Sequence, residues 1–480
     1  MNHGSSSLDV VRAFRLSPRK DRNSRKAHTS RGIKPVTFKI FPDLAPLEIA
    51  EQELAVLAKA MHTGRTPKTN PRIPAAYTYF GQFVSHDITA VPQKFSGKAW
   101  VIGDQSPCMD LDSVYGKFGE NRNSFLNTSH LLKIGKNSLG EADLPRDPSG
   151  SAIIADPRND MSIMIAQMHL LFLKVHNQFV QHLKDSSFKG DLFAEAKRLS
   201  CWHYQWIIIH DYLKRLLGEK VLYGKISSPN AKKAKVSLSY LKDASFSYLP
   251  LEFTGAAYRM GHSMIRSSYY LNEIPNARNP RTGRAEARAY QIFDFDKREE
   301  DLRGGRQLPD YFSLQWNRFL EFEGHPEPQY SQRIDTSMAG PMSKIPGDED
   351  EAVSMAEQNL LRGLSFELPS GQTLAKKMGI KALKKLSPKQ ETPLWYYVLQ
   401  EAEHYHDGTQ LGPLGGQIIA EVFLAKLLAD PESFLYQNPG WNPGKEGIIE
   451  TETTDFELSD LVKFSAMPLS LEDLEAQIQF

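Results

Sequence analysis

Tyr79-Phe80-Gly81-Gln82-Phe83-Val84-Ser85-His86-Asp87-Ile88-Thr89 is the stretch on which the reading of this chain turns. At helical spacing Phe80, Phe83 and Val84 share an apolar face, while Gln82, Ser85, His86 and Thr89 fall at i, i+3, i+4 and i+7 on another. That second face is polar, compact and free of lysine. A stripe of this kind, with one histidine beside the carboxylate of Asp87, fits the wall of a pocket better than a solvated surface.

Around it lie 480 residues, enough for a sizeable core in one large helical unit or in several domains. Apolar residues at 40% and charged residues at 24% are those of a soluble globular protein, and a net charge of +1 offers no global field for nucleic acid or an anionic membrane. Neither is expected as a partner. Residues 1–40 hold ten Lys/Arg against two Asp/Glu among few apolar side chains, which predicts a flexible basic arm. No secretory apolar core follows those basic residues, and no apolar run of about 18 residues occurs anywhere, so a leaderless, cytoplasmic protein without a membrane span is expected. Cys108 and Cys201 are the only cysteines. Two cannot build a disulfide framework or a structural zinc site, which fits a reducing compartment or a core that needs no staples.

The long periodic segments are helical. From Asp160 to Leu183, residues Met161, Met164, Ile165, Met168, Leu171, Phe172 and Val175 follow the amphipathic pattern. A second such segment runs from Leu192 to Leu217, with Gly218 as its stop. Further helices are expected at Ala45–Met61, Leu251–Ser267, Asp310–Gly324, Glu351–Gly363, Ser370–Met378, Pro393–Ala402 and Gly415–Leu428. Long loops at Ser96–Asp112, Ala277–Arg303 and Tyr330–Asp348 separate them, and such loops in a helical protein usually serve a site or a metal. The expected fold class is mostly α: a single large helical domain over residues 41–440 with long structured loops and few or no strands. The arm of residues 1–40 precedes it, and an acidic segment and tail, 441–480, follow. His169 and His176, like His203 and His210, share helix faces and read as buried scaffold, whereas His404 and His406 read as exposed.

Four islands carry the chemistry: Gly81-Gln82-Phe83-Val84-Ser85-His86-Asp87; Asp156-Pro157-Arg158-Asn159-Asp160 with the following Met168-His169 to His176-Asn177; Tyr258-Arg259-Met260-Gly261-His262-Ser263; and Gln358-Asn359-Leu360-Leu361-Arg362-Gly363. In this order and spacing they resemble the animal-type haem peroxidases of the peroxidase–cyclooxygenase superfamily, over residues 65–430. Each island alone is weak. Four in register are specific.

The resemblance implies a haem peroxidase that reduces hydrogen peroxide or a small hydroperoxide through a ferryl intermediate and oxidises a small donor. His86 matches the distal base, since a neutral imidazole near the iron is the natural proton shuttle. Arg158 matches the distal guanidinium that stabilises charge as the O–O bond breaks, and Gln82 matches the distal water or halide position. His262 matches the proximal iron ligand, and Asn359 the amide that holds its other nitrogen. Arg259 and Arg362 match arginines that pair with haem propionates. Asp87 matches a calcium ligand completed by Ser106, the Cys108 carbonyl, Asp110 and Asp112, a hard oxygen set suited to that ion.

Two positions depart from the family. Relatives that esterify their haem use a carboxylate just before the distal histidine and another three residues after the distal arginine. Here these are Ser85 and Met161, neither of which can form an ester. Ser162 stands where some relatives have a methionine that forms a sulfonium link. A non-covalent haem b of reduced oxidising power is therefore expected, with phenols, bromide, iodide or thiocyanate as open donors and chloride oxidation not expected. The alternatives are a fatty-acid dioxygenase of the same superfamily and a catalytically silent haem- and calcium-binding protein. Dioxygenases place a radical-forming tyrosine three residues before the proximal histidine, where this chain has Arg259, with Tyr258 adjacent.

Overall fold

Seven helices organise the site: α1 (Glu51–Thr63), α2 (Ala76–Ile88), α3 (Ile163–Asp185), α4 (Leu192–Ile207), α5 (Met355–Ser365), α6 (Leu394–His406) and α7 (Pro413–Ala429). The computed structural model describes residues 38–478 apart from 90–91, 96–98, 103–105, 117–129, 228–234, 243–248, 276, 279–284, 298–299, 347–351, 385–390, 447, 450 and 452–454. The basic arm, through residue 37, thus lies outside the described residues, as do parts of the three long loops. None of the described helices is long and apolar enough to cross a membrane.

Helix α2 is the centre of the core. Only Gln82 and Ser85 of its residues escape full burial, so the polar stripe is the one face not sealed by packing. The apolar face is sealed by rings: Phe83 stacks on Phe172 of α3 at 4.8 Å, and Phe80 meets Tyr204 of α4 edge-on at 6.0 Å. Helix α3 begins at Ile163, later than Asp160, because Pro157–Asp160 form a 3-10 turn and Ser162 supplies the cap by accepting from Ile165 N. Helix α4 is capped by Asp191, then widens into a π turn over Ile208–Leu213 and resumes to Leu217. The π turn turns Tyr212 towards α2, where its hydroxyl fills the space beside Gly81; a Cβ there would lie 2.2 Å from it.

Two expected helices are not α-helices throughout. Leu251–Ser267 breaks after Thr254 and continues as a 3-10 segment over Ala257–Met264, with Arg259 Nε donating to the Thr254 carbonyl at 2.8 Å. Asp310–Gly324 holds only a 3-10 turn, Trp316–Arg318. Its buried Phe312, Leu314 and Trp316 alternate in extended chain, and Gln315 N and Trp316 N donate to the carbonyls of Leu271 and Pro468. Strands occur only as short two-stranded ladders among the described residues, such as Thr69–Pro74 against Tyr330–Gln332. The acidic C-terminal stretch packs into the same core through Trp441, Phe456 and Leu461, and Glu457 pairs with Arg215 at 3.0 Å.

Glu401 on α6 illustrates how the core is closed. It accepts from Leu414 N (2.7 Å) and Gly415 N (3.1 Å) at the start of α7, and its other oxygen finds no hydrogen-bond partner. Burial pushes its carboxyl up to about 7. An acid whose folded pKa is raised binds its proton more tightly when folded, so stability falls as pH rises from its unfolded value to about 7 and then levels. Glu401→Gln keeps an acceptor for both N–H groups and removes the titration. Thermal unfolding across that range should show a flatter pH profile for the variant, the difference amounting to about 3 kcal/mol.

Candidate active site

The turn Pro157–Asp160 is fixed from several sides. Arg146 binds Asp160 in bidentate fashion at 2.7 and 2.8 Å while also holding Asp143 at 2.9 Å. Gly304 and Gly305 donate to the carbonyls of Met161 and Asp160, an approach only glycine permits, since a Cβ on Gly304 would lie 2.0 Å from the Asp160 oxygen. Asp156 caps the turn, accepting from Arg158 N at 2.9 Å.

Arg158 is more constrained than its sequence role implies. Its guanidinium grips the buried Asp156 at 2.7 Å and donates to the carbonyls of His86 (2.7 Å) and Thr89 (2.6 Å) and to Thr89 Oγ1 (3.1 Å). These carbonyls end α2, so the arginine caps the C-terminus of the helix that carries His86. The cation sits beside the histidine with most of its donors committed to the protein.

His86 is buried, and its Nδ1 lies 2.8 Å from Asn159 Oδ1. An amide oxygen only accepts, so Nδ1 carries the proton and Nε2 is the basic nitrogen. Asn159 Nδ2 lies 3.0 Å from His169 Nδ1. Burial lowers His169 to about 4, which keeps it neutral. Asn159 was not among the residues the sequence singled out; a lone asparagine after an arginine in a turn reads as a cap.

The other wall is the segment Ala257–Met264. It packs on α2, and Tyr258 donates its hydroxyl to Gly81 O at 3.2 Å. His262, Arg259 and Arg362 lie deep in the molecule yet keep partial accessible surface. Burial, then the charges of Arg259 and Arg362, bring His262 to about 3, so its imidazole is neutral. Burial and the neighbouring Arg362 hold Arg259 well below the ordinary guanidinium value, and burial brings Arg362 to about 10. No carboxylate among the described residues pairs with either arginine, and Arg362 Nε has no hydrogen-bond partner there.

Asn359 reaches His262 as expected, Nδ2 to Nδ1 at 2.8 Å, but with the amide turned opposite to the expected sense. An amide nitrogen donates, whereas a metal-binding imidazole needs an acceptor at Nδ1. The physical reason is Arg259, whose Nη1 lies 3.5 Å from Asn359 Oδ1 and draws the oxygen to itself.

Below α2, Asp87, Asp110 and Asp112 bring carboxylate oxygens within 4.8 Å of one another. Asp87 accepts from Leu111 N (3.2 Å) and Ser113 Oγ (3.0 Å), and the loop bends back through Leu111 at φ 56°. Ser106 bonds Asp110 through its hydroxyl (3.1 Å) and Asp112 through its N–H (2.9 Å). Burial and the charge of Asp110 push Asp87 up to about 8, the penalty expected where three carboxylates converge without a cation. Burial pushes the Cys108 thiol up, so its sulfur stays protonated and is no ligand.

Of the other histidines, His176 (Nδ1 to Tyr115 OH, 3.0 Å) and His203 (Nδ1 to Leu199 O, 2.7 Å) are buried, His210 is half-buried, and His404 and His406 are exposed. Ser85 and Met161 are partly buried at the positions without carboxylates.

The segment Ala257–Met264 thus sets a neutral imidazole beside two arginines that no described carboxylate pairs with, against the helix that carries the buried His86. Residues 95–304 match the family model for animal haem peroxidase. The chain matches this model over less than half of its length. It is 26% identical over 183 residues to Peroxidase mlt-7 of Caenorhabditis elegans, a match covering 35% of this chain and 24% of the relative. The chain thus spans about a quarter of that relative's length. Among solved structures it resembles peroxidase A of Dictyostelium discoideum (TM-score 0.64, 14% identity, 90% of this chain and 93% of that one). It also resembles fatty acid alpha-dioxygenase of Arabidopsis thaliana (TM-score 0.61, 15% identity, 91% and 78%). At these identities the two likenesses speak for the fold.

Proposed function

We propose that this chain binds haem b without covalent links and uses it to reduce hydrogen peroxide or a small hydroperoxide while oxidising a small donor. The observation that carries the reading is the pair Arg259 and Arg362, deep cations that no carboxylate among the described residues neutralises. Two acid groups of a bound ring answer that demand, and the neutral His262 beside them is the matching iron ligand. Bound there, haem supplies redox-active iron at which peroxide is reduced.

The chain's own residues then have separable tasks. His86 takes the peroxide proton on Nε2 and returns it to the leaving oxygen. Arg158 holds the end of α2 and places positive charge beside that transfer. Gln82 and Ser85 form the part of α2 open to water or a small donor. His262 would offer Nε2 to the haem iron with its Nδ1 protonated, which asks the Asn359 amide to turn its oxygen, now beside Arg259, towards His262. With Ser85 and Met161 at the linking positions, acidified organic solvent should extract all the haem. Phenols, bromide, iodide and thiocyanate are the donor candidates.

Calcium at Asp87, Asp110, Asp112, Ser106 and the Cys108 carbonyl would relieve the carboxylate repulsion and tie α2 to its loop. Saturating calcium added after chelation should raise the unfolding midpoint by several degrees, about 3 kcal/mol at a hundredfold excess over Kd. Asp110→Asn should abolish that increment.

Against a dioxygenase, Tyr258 is committed to Gly81 O and stacks on Phe253 at 4.8 Å, away from the polar stripe. The test is peroxide consumption with a phenolic donor by the haem-loaded chain. Oxygen uptake with a fatty acid, lost in Tyr258→Phe, would replace this reading by the dioxygenase.

A further inference from the structure

We propose that Asn159 and His169 are positioning residues that set the tautomer of His86, holding its proton on Nδ1 and leaving Nε2 as the base. The inference rests on the proposed role of His86 as proton acceptor. Three side chains from three elements form one polar chain: His86 on α2, Asn159 on the 3-10 turn and His169 on α3, joined at 2.8 and 3.0 Å. Asn159 and His169 are wholly buried, so water does not substitute for either link.

The direction of the chain follows from the way the Asn159 amide is turned, its oxygen towards His86 and its nitrogen towards His169. Burial keeps His169 neutral, and its Nδ1, facing the amide nitrogen, must be the bare acceptor. The Asn159 nitrogen is thereby engaged, and the oxygen of the same rigid amide is left to face His86. An oxygen accepts only, which places the His86 proton on Nδ1. The opposite sense would put the proton on Nε2, where the base must be bare. The turn that carries Asn159 is immobilised by Arg146 and by the Gly304–Gly305 backbone, so the amide is held as firmly as the two rings. The charged groups beside the chain are Asp156 and Arg158, which neutralise one another.

The test uses the full chain, labelled with nitrogen-15 at histidine, and reads by long-range proton–nitrogen correlation which ring nitrogen carries each proton. Spectra of His86→Gln and His169→Gln supply the assignments. The expected result is Nδ1–H for His86 and Nε2–H for His169; Nε2–H for His86 in the unaltered chain overturns the proposal and needs no variant to fold. In the haem-loaded chain, Asn159→Leu should slow the bimolecular reaction with peroxide by about 10–100-fold without changing the KM for the donor. Asn159→Asp, which keeps an acceptor for His86, should recover most of that rate. An unchanged rate in Asn159→Leu beside a slow His86→Ala overturns the relay alone. A fast His86→Ala overturns the role of His86 instead, and the spectrum still decides the tautomer.

Discussion

His86→Ala is expected to bind haem as the unaltered chain does and to react with peroxide about 10²–10⁴-fold more slowly. The side chain removed lies on α2, whereas the residues proposed to hold the ring lie on the segment Ala257–Met264 and on α5. Retention and reactivity should therefore separate. Alanine also leaves Asn159 Oδ1 without its imidazole partner in a buried place, a cost of about 1–3 kcal/mol that unfolding would read as a lowered midpoint. The kinetic loss must exceed what that destabilisation explains, so rates are compared well below the midpoint. Stopped-flow mixing with peroxide makes the comparison; equal rates would remove His86 from the mechanism.

His262→Ala has the opposite signature. Without an axial imidazole, haem affinity should fall steeply, and what is bound should be lost on gel filtration while His86→Ala keeps its full complement. The fold should tolerate the change. His262 is neutral, keeps accessible surface and has Asn359 as its hydrogen-bond partner, so truncation strands no buried charge. Addition of imidazole should restore part of the binding, an outcome that a general loss of structure would not give. A variant that retains haem with an unaltered spectrum would place the iron ligand elsewhere.

Much of this arrangement is legible in the chain because helix burial leaves a periodic trace. The stripe Gln82, Ser85, His86 and Thr89 is polar because the rest of α2 is sealed, and Asp87 falls off the stripe because it serves the loop below. Spacing fails where apolar residues are compatible with two periods. Phe312, Leu314, Trp316, Phe319 and Leu320 fit a helix on paper, yet the N–H groups of Gln315 and Trp316 are claimed by the carbonyls of Leu271 and Pro468, and the segment stays largely extended. The Ala257–Met264 segment tightens to 3-10 for a similar reason, with Arg259 taking the carbonyl of Thr254.

Within the site, residue types were legible and directions were not. Arg158 is recognisable, but its grip on Asp156 and on the last carbonyls of α2 depends on partners 2 to 72 positions away. Asn159 carries no signal of its own, because its partners stand 73 and 10 residues distant and only the folded turn brings them to it. The sense of the Asn359 amide depends on Arg259, a competition that no spacing records.

The central claim is that this chain holds a haem at His262, beside Arg259 and Arg362, and reacts with peroxide through its own residues. The most direct measurement is an optical titration of the purified chain with haem, followed by one equivalent of hydrogen peroxide. The account predicts saturation at one haem per chain, a ferric high-spin Soret band, and a rapid shift of that band on adding peroxide that a phenolic donor reverses. Failure to take up haem would contradict the account at its root, and a saturated chain whose spectrum ignores peroxide would reduce it to a binding protein.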